Sequence, residues 1–274
     1  MKLALWQTRG FPADPAANLA ALEQTARAAS AAGAALLLCP ECWLCGYNIG
    51  DAVTSLAEAA DGESARYVAS IARAQRLAIA YGYAERDPAR TGIFNSVQVI
   101  GPEGTVLAHY RKTHLFGAAE RAAYIPGSRF AAPFEFGGFR IGLLICYDVE
   151  FPEAVRCLVL AGADVVLIPT ALTDEYGAVP ALLVPARAVE NQVYVAYCNH
   201  AGIENGMRFL GRSCLIAPDG QAVVAAGAAD ALIVGEISAS AQSEIAKIYP
   251  YRADRRPELY DALQGHQPEG DQLA

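Results

Sequence analysis

The chain has 274 residues, 54% of them apolar and 18% charged, with a formal net charge of −8 at pH 7. This composition favours one large α/β domain with a buried core and excludes a disordered chain. No basic cluster occurs, which argues against nucleic acid and anionic membranes as partners, and no apolar stretch is long enough to span a bilayer. The first apolar run, residues 3–6, is too short for a signal peptide, and the odd count of seven cysteines favours a reduced, cytoplasmic protein.

Apolar runs alternate with amphipathic segments over most of the length of the chain, which predicts βα units. Asn18 is predicted to cap the first helix, which ends at Gly33. In chain order, the predicted elements are a strand at 3–6, a helix at 19–32, a strand at 35–40, a helix at 64–76 and a strand at 77–85.

Three antiparallel hairpins interrupt this alternation, each with two short strands around a glycine-containing turn. The predicted hairpins are 95–112, 134–148 and 213–227. The helices and strands predicted between the last two hairpins are helices 152–162 and 179–191 and strands 165–170 and 193–199. This mixture predicts two mixed sheets packed face to face with helices outside, rather than a doubly wound sheet. We assign residues 1–260 to this single domain and residues 261–274 to a polar, loose tail.

Three cysteines, Cys39, Cys42 and Cys45, are separated by two residues each and suggest a metal or iron–sulfur site. A ferredoxin-type run needs a fourth cysteine three residues further on, but Gly-Tyr-Asn-Ile-Gly follows Cys45. No other Cys-x-x-Cys pair occurs in the chain. We therefore interpret the three thiols as packing residues and expect no metal and no cofactor.

Three polar residues that follow apolar strands are candidates for a catalytic site. Glu41 and Lys112 each have an ordinary explanation, as an exposed loop acid and as a solvated lysine. Cys146 fits a simple core position less well, because a polar turn follows it at once and Pro152 then opens a helix. A nucleophile at the end of a buried strand, with backbone N–H groups close by, is typical of a nucleophile elbow.

Taken together, Glu41, Lys112 and Cys146 resemble in type and order the catalytic residues of the nitrilase superfamily of carbon–nitrogen hydrolases. The matching motifs are PE followed by GY, then YRKTHLF, ICYDVEFPE and ARAVENQVYVAYCN, and the resemblance covers nearly the whole chain. It implies a four-layer αββα sandwich and a homodimer or higher homo-oligomer built through the helices. Arg187 and Glu190, in the last of these motifs, are assigned to structure.

The resemblance also implies a mechanism that agrees with the residue types. Cys146 attacks an amide carbonyl with Glu41 as general base, and a thioester forms and is hydrolysed. The Lys112 ammonium and the Tyr147 backbone N–H stabilise the negative charge on the carbonyl oxygen. A second glutamate, Glu120, holds Lys112 and orients the substrate amide.

Within the superfamily, the segments GYNIG, YGYAER, IFNSVQVI and YRKTHLFG are most similar to bacterial aliphatic amidases of the 5-aminopentanamidase kind and to R-stereoselective amidases. Tyr47 and Tyr147 are predicted to form walls of the substrate pocket. Ala171, Asp174 and Glu175 belong to a loop that follows a strand and is expected to face the pocket. The two acids either attract a cationic ω-amino group of the substrate or are simply solvated.

The leading hypothesis is a cysteine-dependent amidase that acts on a short aliphatic primary amide, such as 5-aminopentanamide. An N-carbamoyl amino acid amidohydrolase and a nitrilase are the alternatives among enzymes, and the three reactions share the catalytic set. The substrate carboxylate of an N-carbamoyl amino acid would require a basic residue, whereas TDEYG offers acids. A catalytically idle binding protein is disfavoured, because all three catalytic positions are intact.

Overall fold

In the computed structural model, which describes residues 1–87, 89 and 92–264, strands and helices form layers. The strands are β1 (Lys2–Gln7), β2 (Leu36–Leu38), β3 (Ala78–Arg86), β4 (Ile93–Ile100), β5 (Val106–Arg111), β6 (Phe134–Phe136), β7 (Phe139–Leu143), β8 (Val165–Thr170), β9 (Tyr194–Asn199), β10 (Ile203–Glu204), β11 (Met207–Arg208), β12 (Cys214–Ile216), β13 (Ala222–Ala225) and β14 (Ala231–Glu236). The α-helices are α1 (Pro15–Ala31), α2 (Ala52–Leu56), α3 (Glu63–Gln75), α4 (Gly117–Ala123), α5 (Pro152–Leu160), α6 (Val184–Asn191) and α7 (Ala239–Ile248).

Two six-stranded mixed sheets form the inner layers. The first has the order β14-β1-β2-β3-β4-β5, and its central strands β1, β2 and β3 are parallel. The second has the order β13-β12-β9-β8-β7-β6, with β7, β8 and β9 parallel. The predicted α/β sandwich of two mixed sheets flanked by helices is confirmed, and the three predicted hairpins are all present.

The alternation of side chains along the strands divides the apolar residues between two cores. Leu36 and Leu38 of β2 belong to the core between the sheets, whereas Leu37 belongs to the core beneath α1 and α3. On the helix side, Leu22 of α1 and Val68 of α3 are fully buried in this second core. A strand that is covered on both faces reads as a continuous apolar run, which explains the sequence of β2.

The start of α1 differs from the sequence prediction. Asp14, not Asn18, caps the helix, and its carboxylate accepts a 3.0 Å hydrogen bond from the Ala17 N–H. Asn18 lies inside the helix, where its amide donates to the carbonyl oxygens of Phe11 (2.9 Å) and Leu44 (3.0 Å). Asn18 therefore fixes the loop that follows β2 instead of the helix terminus.

Several elements have no counterpart in the sequence prediction, namely α2, α4, α7, β10, β11 and β14. β14 adds an antiparallel edge to the first sheet by pairing with β1. The helix predicted over 179–191 begins with a π-helical turn at Val179–Leu183 and continues as α6. Of the predicted tail, 265–274 lies outside the described residues. No helix in the part of the chain that the structure describes has the length and apolar character needed to cross a membrane.

Candidate active site

The polar residues singled out in the sequence converge where loops of the two sheets meet. Glu41 follows β2, Lys112 follows β5 and Glu120 lies in α4, so these three come from the first sheet and its connections. Cys146 follows β7 of the second sheet. All four side chains are buried, with exposed fractions from 0% for Glu41 to 6% for Cys146, which is unusual for ionisable residues and indicates a site.

Glu41 is held from several directions but keeps one oxygen without a partner. Its Oε1 accepts hydrogen bonds from Asn95 Nδ2 at 2.7 Å and Lys112 Nζ at 2.6 Å. Its backbone carbonyl accepts a hydrogen bond from His200 Nε2 at 2.7 Å. Oε2 is buried and has no hydrogen-bond partner among the described residues. An oriented carboxylate with an unused oxygen is suited to accept a proton.

Lys112 bridges the two glutamates. Its Nζ lies 2.6 Å from Glu41 Oε1 and 2.7 Å from Glu120 Oε1, so the structure brings Glu120 to the position that the sequence suggested. Glu120 also accepts hydrogen bonds from the Tyr47 hydroxyl at 2.6 Å and the Phe116 N–H at 2.8 Å. These contacts fix the ammonium group without help from solvent.

Cys146 begins a 3₁₀ helix, Cys146–Glu150, with the backbone in the left-handed region at φ 45°. This conformation is unfavourable for a residue with a Cβ and is typical of a nucleophile elbow. Tyr147 is the second residue of this first turn, where backbone N–H groups have no intrahelical acceptor. The turn therefore places the thiol next to a backbone N–H for which the helix itself supplies no acceptor.

Asp148 joins the cysteine turn to the lysine segment. Its Oδ2 accepts hydrogen bonds from the Tyr110 hydroxyl at 2.8 Å and the Ile145 N–H at 3.0 Å. Its Oδ1 accepts from the His114 N–H at 3.0 Å and the Thr113 hydroxyl at 3.1 Å. One fully buried carboxylate thus sets the position of both segments.

Arg187 supports the cysteine turn from the other side. Its Nε donates to the Val149 carbonyl and its Nη2 to the Glu150 carbonyl, each at 2.9 Å, while Nη1 lies 3.1 Å from Glu190 Oε1. The structural assignment of Arg187 and Glu190 therefore agrees with their contacts.

The buried charges shift one another's protonation. Burial raises the pKa of Glu41 to about 7, although the Lys112 ammonium opposes this rise. Burial and then the Glu41 charge raise the pKa of the Cys146 thiol well above its usual value. For Lys112, burial alone would lower the pKa, but the Glu41 and Glu120 carboxylates outweigh it and raise the pKa. The arrangement therefore favours a neutral thiol beside a base that titrates near neutral pH.

Cys146 and Glu120 line a cavity of about 400 Å³. The predicted wall residues Tyr47, Tyr147 and Ala171 all line it. Phe116 also lines it, with its ring centroid 5.1 Å from that of Tyr147 and 5.6 Å from that of Tyr176. Cys146 therefore lies at an aromatic cavity large enough for a small molecule.

Asp174 and Glu175 are not brought into this cavity, which corrects the sequence-based expectation for these two acids. They belong to a single 3₁₀ turn, Asp174–Tyr176, in which only Tyr176 is directed to the cavity. Both acids are exposed, and Asp174 Oδ2 lies 3.8 Å from Arg208 Nε. The alternative that these acids are solvated agrees with the structure.

The three cysteines near Glu41 pack in apolar surroundings. Cys39 belongs to the core beneath the helices, and Cys42 and Cys45 belong to a small apolar cluster with Tyr124. The Cys42 sulfur lies 3.5 Å from the Tyr124 hydroxyl. Within the described residues, no group of three or more His, Cys, Asp or Glu side chains is arranged to hold a metal ion.

Gly82 of β3 packs directly against the backbone of the Glu41 loop. A Cβ at this position would lie 2.5 Å from Cys42 N and 2.6 Å from the Pro40 carbonyl oxygen. We expect Gly82→Ala to displace Glu41, to lower kcat about a hundredfold and to lower the free energy of unfolding by about 1–3 kcal/mol. Steady-state kinetics and urea unfolding measure the two effects. Gly227→Ala is the control, since its Cβ would meet nothing within 4 Å, and equal behaviour of the two variants would contradict the prediction.

Sequence reasoning missed three residues that organise the site. Asn95 is a polar residue inside the apolar strand β4, and this break in the pattern was a usable signal. Asp148 lies in the motif ICYDVEFPE, but no local feature of the sequence reveals that its carboxylate accepts five hydrogen bonds. His200, beyond the end of β9, is 159 positions from Glu41 in sequence, so only the fold reveals their contact.

The chain is similar to known proteins in both sequence and three-dimensional structure. The sequence model of the carbon-nitrogen hydrolase family matches residues 2–247 of the chain. A protein of Pseudomonas protegens named "Hydrolase in pqqF 5'region" is 46% identical over 264 residues, covering 96% of this chain and 92% of its own length. An (R)-stereoselective amidase of Pseudomonas sp. is 35% identical over 257 residues, covering 93% and 92% of the two chains.

The amidase from Nesterenkonia sp. AN1 has a similar three-dimensional structure. Two of its structures each superpose with a TM-score of 0.85 at 36% identity, covering 96% of both chains. One is a cysteine-to-alanine mutant in complex with butyramide. The other is a glutamate-to-glutamine mutant that shows covalent addition of the acetamide moiety of fluoroacetamide at the active-site cysteine.

Proposed function

The chain belongs to the carbon-nitrogen hydrolase family and is a hydrolase of amide carbon–nitrogen bonds, and we propose that it converts short aliphatic primary amides to carboxylate and ammonia. The observation that carries this proposal is the burial of Glu41 and Lys112, in contact with each other, close enough to act on the charge of Cys146, which lines the cavity. The butyramide complex of the Nesterenkonia amidase supports an aliphatic substrate of similar size.

In the first half of the proposed reaction, Cys146 Sγ attacks the amide carbon while Glu41 Oε2 takes the thiol proton. The carbonyl π electrons move to oxygen, and the Lys112 ammonium and the Tyr147 N–H stabilise the resulting negative charge. The carbon–nitrogen bond then breaks, Glu41 returns its proton to the nitrogen, and ammonia leaves. The product of this half is a thioester on Cys146.

In the second half, water attacks the thioester carbon and Glu41 takes a proton from that water. The same oxyanion contacts, from Lys112 and Tyr147, stabilise the second tetrahedral intermediate. The carbon–sulfur bond breaks, and Glu41 returns its proton to Cys146 Sγ. The carboxylic acid product gives its own proton to the released ammonia or to water and leaves as the carboxylate. Glu120 holds Lys112 through both halves, and the proposal requires no cofactor.

Charge at the cavity favours amides over N-carbamoyl amino acids. Asp51, Glu120 and Glu150 line the cavity, and no Lys, Arg or His is among its described lining residues. The carboxylate of an N-carbamoyl amino acid would therefore meet like charge. A neutral or cationic amide meets no such repulsion.

Oligomeric state and location are part of the same proposal. The resemblance implies a homodimer or larger homo-oligomer, and large apolar side chains are exposed at Leu160, Leu182 and Ile248, with exposed fractions from 54% to 66%. All seven cysteines are free thiols, which supports a reducing, cytoplasmic environment.

Ammonia release by the purified protein tests the proposal. We expect release from pentanamide and 5-aminopentanamide and much slower release from N-carbamoyl-β-alanine and pentanenitrile, because the cavity repels carboxylates and the site is arranged around an amide carbonyl. A clear preference for either of the last two compounds, or no release from any, would refute the assignment.

A further inference from the structure

Glu150 lines the cavity next to the cysteine turn but has no role in the proposed catalytic steps. Glu150 is the last residue of the 3₁₀ helix that Cys146 begins, and it lines the cavity beside Tyr147. Arg187 holds the Glu150 backbone carbonyl at 2.9 Å, so the position of the residue is fixed. Among the residues that the structure describes, no side chain forms a hydrogen bond or ion pair with the Glu150 carboxylate.

The nearby cations are committed elsewhere. Lys112 lies between Glu41 and Glu120, at 2.6 and 2.7 Å from their oxygens. Arg187 pairs with Glu190. Glu150 is only partly exposed, and this burial raises its pKa against the weaker influence of Lys112 and Arg187. A partly desolvated carboxylate without a close partner gains from the arrival of a cation.

The rest of the cavity wall is also suited to a cation. Tyr47, Phe116, Tyr147 and Tyr176 supply aromatic rings, and Phe116 makes edge-to-face contacts with two of the others. Aromatic faces attract ammonium groups, and the combination of such faces with one carboxylate recognises amines. Asp51, exposed at the rim, adds negative charge along the approach.

We propose that Glu150 binds the ammonium group of substrates that carry an amine at the end opposite the amide, and that it thereby determines substrate specificity. This inference rests on the proposed amidase function, because it assigns the second end of the substrate in the same cavity. It replaces the exposed loop acids Asp174 and Glu175 as the source of amine recognition. Glu150 acts on binding alone and takes no part in proton transfer.

The test compares two substrates of equal chain length, 5-aminopentanamide with an ammonium group and pentanamide without one. Glu150→Gln keeps the shape of the side chain and removes its charge. Glu175→Gln, the matched control, removes the charge of an exposed glutamate that does not line the cavity. We expect Glu150→Gln to lower kcat/KM for 5-aminopentanamide about ten- to a hundredfold, mainly through KM, and to leave pentanamide unchanged. Glu175→Gln should leave both substrates unchanged.

The outcomes separate the inference from the function beneath it. In a Glu150→Gln protein whose thermal melt matches that of the unmodified protein, an equal loss for both substrates or no loss for 5-aminopentanamide would overturn the role of Glu150 while leaving the amidase function intact. A larger effect of Glu175→Gln would overturn it as well. Failure of the unmodified protein to hydrolyse either amide would instead overturn the proposed function. The thermal melt identifies a misfolded Glu150→Gln protein independently of activity, and a folded variant that keeps pentanamide turnover and loses 5-aminopentanamide turnover supports the proposal.

Discussion

Replacing Cys146 by alanine is expected to abolish amide hydrolysis and leave the fold unchanged. Without the sulfur no thioester can form, and loss of a covalent nucleophile lowers kcat by about four orders of magnitude or more. Alanine introduces no new backbone strain, because the left-handed conformation at φ 45° is already adopted by a residue with a Cβ. Ammonia release from pentanamide gives the loss of activity, and a thermal melt shows whether the protein is folded.

A matched control exists for this variant among the other thiols. Cys157 on α5 is exposed, whereas Cys146 is buried at the cavity floor. Cys157→Ala should therefore keep the kcat and KM of the unmodified protein. If a folded Cys146→Ala protein retained activity within about tenfold of the original, a nucleophilic role for this thiol would be excluded.

Glu41→Gln is expected to have the second largest effect, a fall in kcat of about a hundred- to ten-thousandfold. The carboxamide oxygen can still accept hydrogen bonds from Lys112 and Asn95, which now lie 2.6 and 2.7 Å from Glu41 Oε1. The site therefore keeps its shape but loses the carboxylate that we propose as the acceptor of the thiol proton. Lys112 remains charged through its contact with Glu120.

The unmodified protein and Glu41→Gln are also expected to differ in the pH dependence of kcat/KM. Burial raises the pKa of Glu41 to about 7, so the basic form that catalysis needs is present above this pH and is lost as the pH falls through it. We expect kcat/KM of the unmodified protein to decline on the acid side of about pH 7, and Glu41→Gln to lack this limb. Glu153→Gln, which changes an exposed acid at the start of α5, should keep the original profile. An unchanged acid limb in Glu41→Gln would assign the titration to another group.

The positions of the main site residues were predictable because they follow strands that have clear apolar patterns. The ends of β2, β5 and β7 could be read from the chain, and with them Glu41, Lys112 and Cys146. Their convergence could not, because it depends on how two sheets pack. The residues that line the cavity were hard to predict for a similar reason. Two adjacent acids such as Asp174 and Glu175 do not reveal in which direction a single turn points their side chains.

Because the site is divided between the two sheets, enzymatic activity depends on the packing of one sheet against the other. Asp148, in the turn that follows β7 of the second sheet, accepts hydrogen bonds from Tyr110 and His114, which belong to the first sheet and the segment after it. Separation of the sheets would break these hydrogen bonds and at the same time move Cys146 away from Glu41. A loosened, molten-globule-like state could keep every strand and helix and still be inert. On heating or addition of denaturant, activity should therefore be lost before or together with the secondary structure. An activity assay thus reports whether the two sheets are still packed together.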